Sequence, residues 1–277
     1  VIRRLGRFFY YGLPAVLVAY PIISFLWMSL LRKSGGEITG PLTLENYVRA
    51  FTDTMYVPLL LRSIELSVAV SAICVVSAYL LAVWVASLAG RAKMVAILVF
   101  VAPLLMNYIV KIYAIRALLG NNGFINRSLL SAGLIDKPIE TFTFNMNSVF
   151  LTLVILLTPF AFLPIYLAIE QIDRKLVDAA RDLGASDGYI FRRIVFPLTK
   201  PSVVLSASFV FVLAMGDFVT PEMVGGTSGF TFGRVIYSQF GSAFNWPFGS
   251  ALSALLMIVV TAALWSGARM ARVRGLQ

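Results

Sequence analysis

Four polar side chains hold most of the chemistry that this apolar chain offers. Asp217 follows the charge-free run 201–216, and Glu222 lies just beyond Pro221. Glu65 stands at the head of a second apolar run, and Asn107 at the end of a third. A carboxylate inside a membrane span costs roughly 2.5–3.5 kcal/mol on insertion scales, so Asp217 must face a cavity or a partner. Three carboxylates and an amide at one depth suit contact with a cationic solute. The alternatives for Asp217 are a salt bridge to Lys111 or Arg116, or a buried hydrogen bond that fixes a gate. Bond-making chemistry is not on offer. The chain has no histidine and a single cysteine, Cys74, so the usual zinc sites, Ser-His or Cys-His catalysis and an intrachain disulfide are all excluded.

A second constellation is a run of charge, 170–200. Asp173 can cap a helix whose apolar positions Leu176, Val177, Ala180 and Leu183 share one stripe, and Gly184 is where that helix should stop. Ser186 can cap a second short helix carrying Tyr189, Ile190, Ile194 and Val195, with Pro197 and Pro201 expected to break the backbone before the next span. Two amphipathic helices meeting at a glycine bend have an apolar stripe to bury. The stripe can pack on the base of the chain's own bundle or on a partner.

These groups need a scaffold, and the composition names its solvent. Of 277 residues, 59% are hydrophobic and 13% charged, about half the 25% or so of a soluble domain. The chain is therefore read as an all-α integral membrane bundle in one domain. Runs of about 20 apolar residues place six spans near 8–31, 64–90, 94–110, 147–169, 201–221 and 246–268. The third contains Pro103, the fourth Pro159 and Pro164, and the fifth is expected to continue past Asp217. The first run, behind Arg3, Arg4 and Arg7, is too long for a signal-peptide core and reads as a retained anchor. Outside loops are expected to hold a surface helix over 43–51 and an interfacial one over 125–134.

The net charge of +10 is explained by topology rather than by nucleic acid. With both termini cytoplasmic, 14 of the 23 Lys and Arg fall on the inside, including Arg91, Lys93, Arg174, Lys175, Arg192 and Arg193. The 170–200 loop is then an inside loop.

Asp178-Ala179-Ala180-x3-Gly184, then nine residues, then Ile194-x-Phe196-Pro197, resembles the EAA motif of ABC importer permeases, Glu-Ala-Ala-x3-Gly-x9-Ile-x-Leu-Pro. The spacing matches residue for residue, with Asp178 in place of Glu and Phe196 in place of Leu. The motif also lies before the penultimate span, as in that family. The resemblance implies a type I importer permease fold and makes 170–200 a coupling loop for a cytoplasmic ATPase. Asp178, Ala179, Ala180, Gly184, Ala185, Ile194 and Pro197 would then form the docking segment. Neither Gly120-Asn-Asn-Gly123 nor 184–188 is followed by the Gly-Lys-Ser/Thr of a phosphate loop, so ATP and Mg belong to the partner and no cofactor is expected on this chain.

Further segments resemble the spermidine/putrescine permease subfamily: Pro103–Asn107, Leu118–Asn126, Leu134–Asp136, Gly216–Glu222, Gly225-Gly226 and Asn245–Ser250. That resemblance implies an inner-membrane subunit moving a polyamine-like cation inward by alternating access. Its partners would be a second permease, two copies of one ATPase, a periplasmic solute-binding protein and membrane lipid. The readings set against it are the same permease class with another solute, an ion-gradient-driven carrier, a membrane enzyme and an assembly subunit.

Overall fold

The computed structural model describes residues 10, 12–34, 36–141 and 143–271. In a hydrocarbon solvent each backbone N–H and C=O must be satisfied within its own segment, so apolar runs become helices. The first is α1, Leu13–Ser29, with Pro14 in its opening turn and Pro21 inside. A two-stranded hairpin follows, β1 (Arg32–Ser34) against β2 (Glu37–Thr39). Then come α2 (Glu45–Thr52), α3 (Tyr56–Ser87), α4 (Gly90–Leu105), α5 (Tyr108–Leu119), α6 (Phe124–Ser131) and α7 (Met146–Glu170). The charged loop forms α8 (Arg174–Asp182) and α9 (Asp187–Ile190). A π-helical turn, Phe191–Val195, leads into α10 (Phe196–Gly216), followed by α11 (Val219–Val224), α12 (Phe232–Gly241) and α13 (Trp246–Ala271).

Four helical stretches have spanning length and hydropathy: α3, α7, Asp187–Gly216 and α13. The pair Gly90–Leu105 and Tyr108–Ser131 is apolar enough to pass together but is bent by 109°, as a broken span or a re-entrant loop is. The helix α1 has 17 residues, roughly 26 Å at 1.5 Å per residue, and the expected start of its run at Phe8 lies outside the described residues. The six expected segments thus become four full spans, one bent pair and one shorter helix. The bend has a local cause. Pro103 supplies no N–H to the carbonyl of Val99, which weakens the last turn of α4. Asn107 then starts a new helix by accepting from the N–H groups of Ile109 and Val110 at 3.0 and 3.4 Å.

Three other expectations shift. The second span begins at Tyr56, so Glu65 sits within α3 rather than at its head. Pro197 and Pro201 do not break the backbone: Pro197 lies in the first turn of α10, where an N–H would have no helical partner within that helix, and Pro201 is carried inside α10. The helix α10 ends at Gly216, leaving Asp217 as its C-cap outside the span. The two short outer helices form as expected, at Glu45–Thr52 and Phe124–Ser131.

The chain divides into two compact units. One contains the chain up to Leu60 together with Val235–Val259. Within it, Asn46 Nδ2 donates to the carbonyls of Ser29 and Leu31 at 2.8 Å, closing the C-terminal end of α1. Arg49 lies over the ring of Phe248 at 4.5 Å. The other unit contains Leu61–Arg234 and the end of α13. Its core is drawn from α3, α4, α5, α7 and α10, with Val70, Cys74, Ala78, Val149, Leu153, Phe162 and Val210 fully buried. Lipid gives helices no hydrophobic drive to associate, so small residues and interhelical hydrogen bonds take over. Ser71 Oγ donates to the carbonyl of Ala207 at 2.7 Å, and Ser206 Oγ to that of Ala161 at 3.3 Å. A Cβ on Gly267 would meet Ser208 Oγ at 2.5 Å, so glycine is what lets α13 approach α10 there.

Candidate functional site: a capped loop and an acidic cleft

The second unit carries two candidate sites, one at each end of α10. The first is the α8–α9 loop. Asp173 Oδ1 accepts from the Lys175 N–H at 3.0 Å and starts α8. The helix closes with two bonds in a Schellman pattern, Gly184 N–H to the Arg181 carbonyl at 2.8 Å and Ala185 N–H to the Ala180 carbonyl at 3.0 Å. That pattern needs a left-handed residue, and Gly184 supplies it with φ +82°. Ser186 Oγ then accepts from the Tyr189 N–H at 3.4 Å to start α9. Arg181 and Asp187 bridge the bend at 3.1 Å, both well exposed.

Among the described residues the apolar stripe of α8 is only partly covered, with Val177 and Ala180 half-buried. None of its residues is buried, Leu176 is exposed, and Leu183 just past its end is 88% exposed. Asp178 and Ala179 are exposed, while Ala180, Ala185, Ile194 and Pro197 are half-buried. Asp178, Arg174 and Arg181 line a cleft of about 600 Å³ against the ends of α3 and α7. Two contacts not expected from the sequence join the loop to the bundle. Tyr79 Oη and Thr199 Oγ1 are 3.0 Å apart, linking α3 to the start of α10, and the Tyr79 ring meets Phe191 of the π turn edge-on at 5.8 Å. At the entrance to the loop, Lys93 of α4 pairs with Glu170 of α7 at 2.7 Å. Aromatic spacing across a π turn gives no periodic signal, so Tyr79 and Thr199 are not legible from sequence.

The second site is built around Asp217. Its Oδ1 accepts from the N–H groups of Val219 and Thr220 at 3.0 and 3.3 Å, starting α11. Its Oδ2 accepts from Tyr108 Oη at 2.9 Å, and that oxygen also lies 3.1 Å from Thr220 Oγ1. The salt bridges expected to Lys111 or Arg116 do not form. Lys111 donates to the Pro103 carbonyl at 3.1 Å, and Arg116 lies over the Phe144 ring at 4.8 Å. Asn107 is exposed, and its part is indirect: it starts the helix whose first residue is Tyr108. Glu222 is committed to Arg234, at 2.6 Å, and Arg234 also donates to the Gly226 carbonyl at 2.7 Å. Glu65 is exposed on α3. The expected set of three carboxylates therefore resolves into one carboxylate free of cationic partners among the described residues, one neutralised carboxylate and one on an exposed face.

Asp217 opens on a cleft of about 340 Å³ lined by Tyr108, Leu157, Phe160, Val212, Leu213 and Phe218, with Gly216 at its edge. A carboxylate beside aromatic faces in an otherwise apolar cleft suits an alkylammonium group, which pairs with the charge and lies against the ring faces. Tyr108 was not singled out from sequence. Its position after the Asn107 cap was the one signal available.

The bundle thus has an amphipathic loop at one end and an acidic cleft toward the other. Residues 43–269 match the family "Binding-protein-dependent transport system inner membrane component", and the chain belongs to that family. It is 34% identical over 250 residues to the spermidine/putrescine transport system permease protein PotB of Escherichia coli K12, covering 90% of each chain. It is 30% identical to the inner membrane ABC transporter permease protein YdcU of the same organism, over 81% of this chain and 74% of that one. Among solved structures, a bacterial alginate ABC transporter in complex with alginate pentasaccharide-bound periplasmic protein superposes with TM-score 0.74 at 14% identity. The match covers 98% of this chain and 96% of that one. At that identity the likeness is one of fold: the all-α type I importer permease architecture.

Proposed function

We propose that this chain is one of two permease halves of an ATP-driven importer of an organic cation of the polyamine class. A separate ATPase docks on the α8–α9 loop and carries the ATP and Mg, and a periplasmic solute-binding protein delivers the solute. The chain sits in a bacterial inner membrane with both termini cytoplasmic. Closure of the ATPase pulls on α8, and the Tyr79–Thr199 contact passes that movement to α3 and α10. The two halves then rock between outward-open and inward-open states, while Asp217 meets the passing ammonium.

The carrying observation is the α8 stripe, which leaves Leu176 and Leu183 exposed. A rigidly capped amphipathic helix with no buried residue is surface held ready for a partner. The polyamine class is supported by the relationship to PotB and by the charge and aromatic lining of the Asp217 cleft. A non-polyamine solute remains the alternative for the same machine, since the alginate transporter shares its fold.

The test is gentle affinity purification of the tagged chain from its own membranes, with and without Gly184→Pro. Proline is fixed near φ −65° and cannot hold the left-handed turn. An ATPase and a second permease are expected with the native chain, and loss of the ATPase with the variant. A chain that purifies alone and transports in liposomes under an ion gradient sinks the importer reading.

A further inference from the structure

The charges of the 170–200 loop are not mixed evenly. In its first half Arg174, Lys175 and Arg181 stand among Asp173, Asp178 and Asp182. Its second half has one acid, Asp187, already paired with Arg181 at 3.1 Å. Beyond that pair come Arg192, Arg193 and Lys200, all exposed and with no ion pair among the described residues.

Helix length fixes their depth. Asp187–Gly216 is one helical stretch of 30 residues, and Asp217 caps it outside the span. Counting back from Gly216 at 1.5 Å per residue, Lys200 is about 24 Å away, Arg193 about 34 Å and Arg192 about 36 Å. The hydrocarbon core of a bilayer is about 30 Å thick, and the whole bilayer about 40–45 Å. The two arginines therefore stand in the headgroup layer, and Lys200 reaches it along its own alkyl stem.

The surroundings match that layer. Tyr189, Phe191 and Phe196 are exposed around this level, and rings of this kind gather where headgroups meet hydrocarbon. The Tyr79 ring braces Phe191 and Phe196 at 5.8 and 6.4 Å, and the two lie 6.1 Å apart. Ser186, Gly188, Tyr189, Arg192 and Arg193 enclose an open hollow of about 700 Å³, to which no carboxylate contributes. Two guanidiniums with a hydroxyl and a phenol beside them suit a phosphate group. A protein partner would have to enter the headgroup layer to meet these arginines, whereas lipid is already there.

We propose that the second half of the loop binds an anionic phospholipid, with Arg192 and Arg193 on its phosphate and Lys200 on a neighbouring headgroup. The leaflet is the one at this end of α10, the cytoplasmic one in the orientation proposed above. The α8 half is left to the ATPase. The loop is then held between a protein and the membrane, so the stroke of the ATPase reaches α10 only while lipid anchors the turn before it. The lipid contact follows from depth and charge; its effect on coupling rests on the importer reading above.

The test uses the whole transporter, with its ATPase, in nanodiscs and proteoliposomes of phosphatidylcholine with or without phosphatidylglycerol. In nanodiscs a photoactivatable phosphatidylglycerol is crosslinked and the labelled peptide mapped. Labelling is expected on 186–200. The pair Arg192→Gln and Arg193→Gln should lower it about fivefold for each charge removed, whereas Arg192→Lys with Arg193→Lys keeps most of it. A Cβ on Gly188 meets open space, so Gly188→Glu adds a repelling charge to the hollow without removing a contact and should lower labelling about fivefold. In proteoliposomes, uptake per ATP hydrolysed should fall severalfold when phosphatidylglycerol is left out, and the double Gln variant should no longer respond to it. Equal labelling of 186–200 in native and double Gln proteins overturns the lipid contact. Loss of the ATPase from the double Gln variant in detergent, where no bilayer is present, overturns it too, in favour of an ATPase contact. Labelling as expected, with uptake per ATP indifferent to phosphatidylglycerol, overturns the coupling role and leaves the contact. A transporter that is labelled as expected but takes up solute without any ATPase overturns the importer reading, and the coupling role with it, while the lipid contact stands.

Discussion

The two ends of α10 are built on opposite plans. At the loop end the helix caps are local: Asp173 caps α8, Gly184 and Ala185 close it, Ser186 caps α9, and Arg181 reaches only as far as Asp187, while Tyr79 and Lys93 reach the loop from elsewhere in the chain. Leu176 and Leu183 stay exposed there, while Ile190 is buried. At the Asp217 end the contacts are long-range. Tyr108 reaches across more than a hundred residues to Asp217 and Thr220, and α7 and α10 supply the rest of the cleft. An end that must hand a rigid shape to a partner can be made largely of capping chemistry. An end that must hold a charge in an apolar setting needs neighbours from elsewhere in the chain to satisfy it.

This contrast can be broken at either end. The largest effect is expected from Gly184→Ala. A Cβ there meets open space, so the penalty is wholly backbone, about 1–2 kcal/mol for holding an L-residue left-handed. If α8 docks only in its capped shape, affinity for the ATPase falls roughly 5–30-fold, while docking of the solute-binding protein is untouched. Titration of purified ATPase onto the permease pair reads this, and equal loss at both faces would mean general misfolding.

At the other end Asp217→Asn keeps a side-chain acceptor for the Val219 and Thr220 amides and removes the charge. Uptake of the organic cation into proteoliposomes should fall about tenfold, equivalent to 1.4 kcal/mol, with ATPase binding retained. Tyr108→Phe keeps the charge but removes a hydrogen bond to it, so it should lower the Tm of the complex more than it lowers uptake. If uptake survives Asp217→Asn and only Tm moves, the carboxylate is a helix cap and gate strut and not a solute contact.

The smallest effect is expected from Arg181→Ala. An exposed pair of this kind contributes about 0.2–1 kcal/mol and is screened by salt. ATPase affinity should change by less than about fivefold, and the difference should vanish at high ionic strength. A larger, salt-independent loss would show that Arg181 meets the ATPase directly.

What could be read beforehand follows the same division. The caps, the glycine stop and the amphipathic stripe of 173–197 were legible because each depends on residues within one or two turns. The two outer helices and the start of α13 at Trp246 were legible for the same reason. The bent pair was not, because a charge-free run over 94–110 looks continuous, and the break rests on how Asn107 and Pro103 share out backbone hydrogen bonds. The prolines at 197 and 201 misled because their effect depends on where the helix begins, and α10 begins at Phe196, which puts Pro197 in its first turn. Glu222 was expected to face a cation alongside Asp217 and Glu65, but Arg234, beyond any local pattern, pairs with it.

The sequence by itself determined the solvent, the helical class and the capped amphipathic loop, since hydropathy and capping act over short distances along the chain. Only the tertiary structure decided which acid is left without a cationic partner among the described residues, and that Tyr108 holds it. In a nearly charge-free bundle the cost of an unsatisfied polar group is high. The identity of its partner is therefore fixed by packing between distant segments, which no local pattern records.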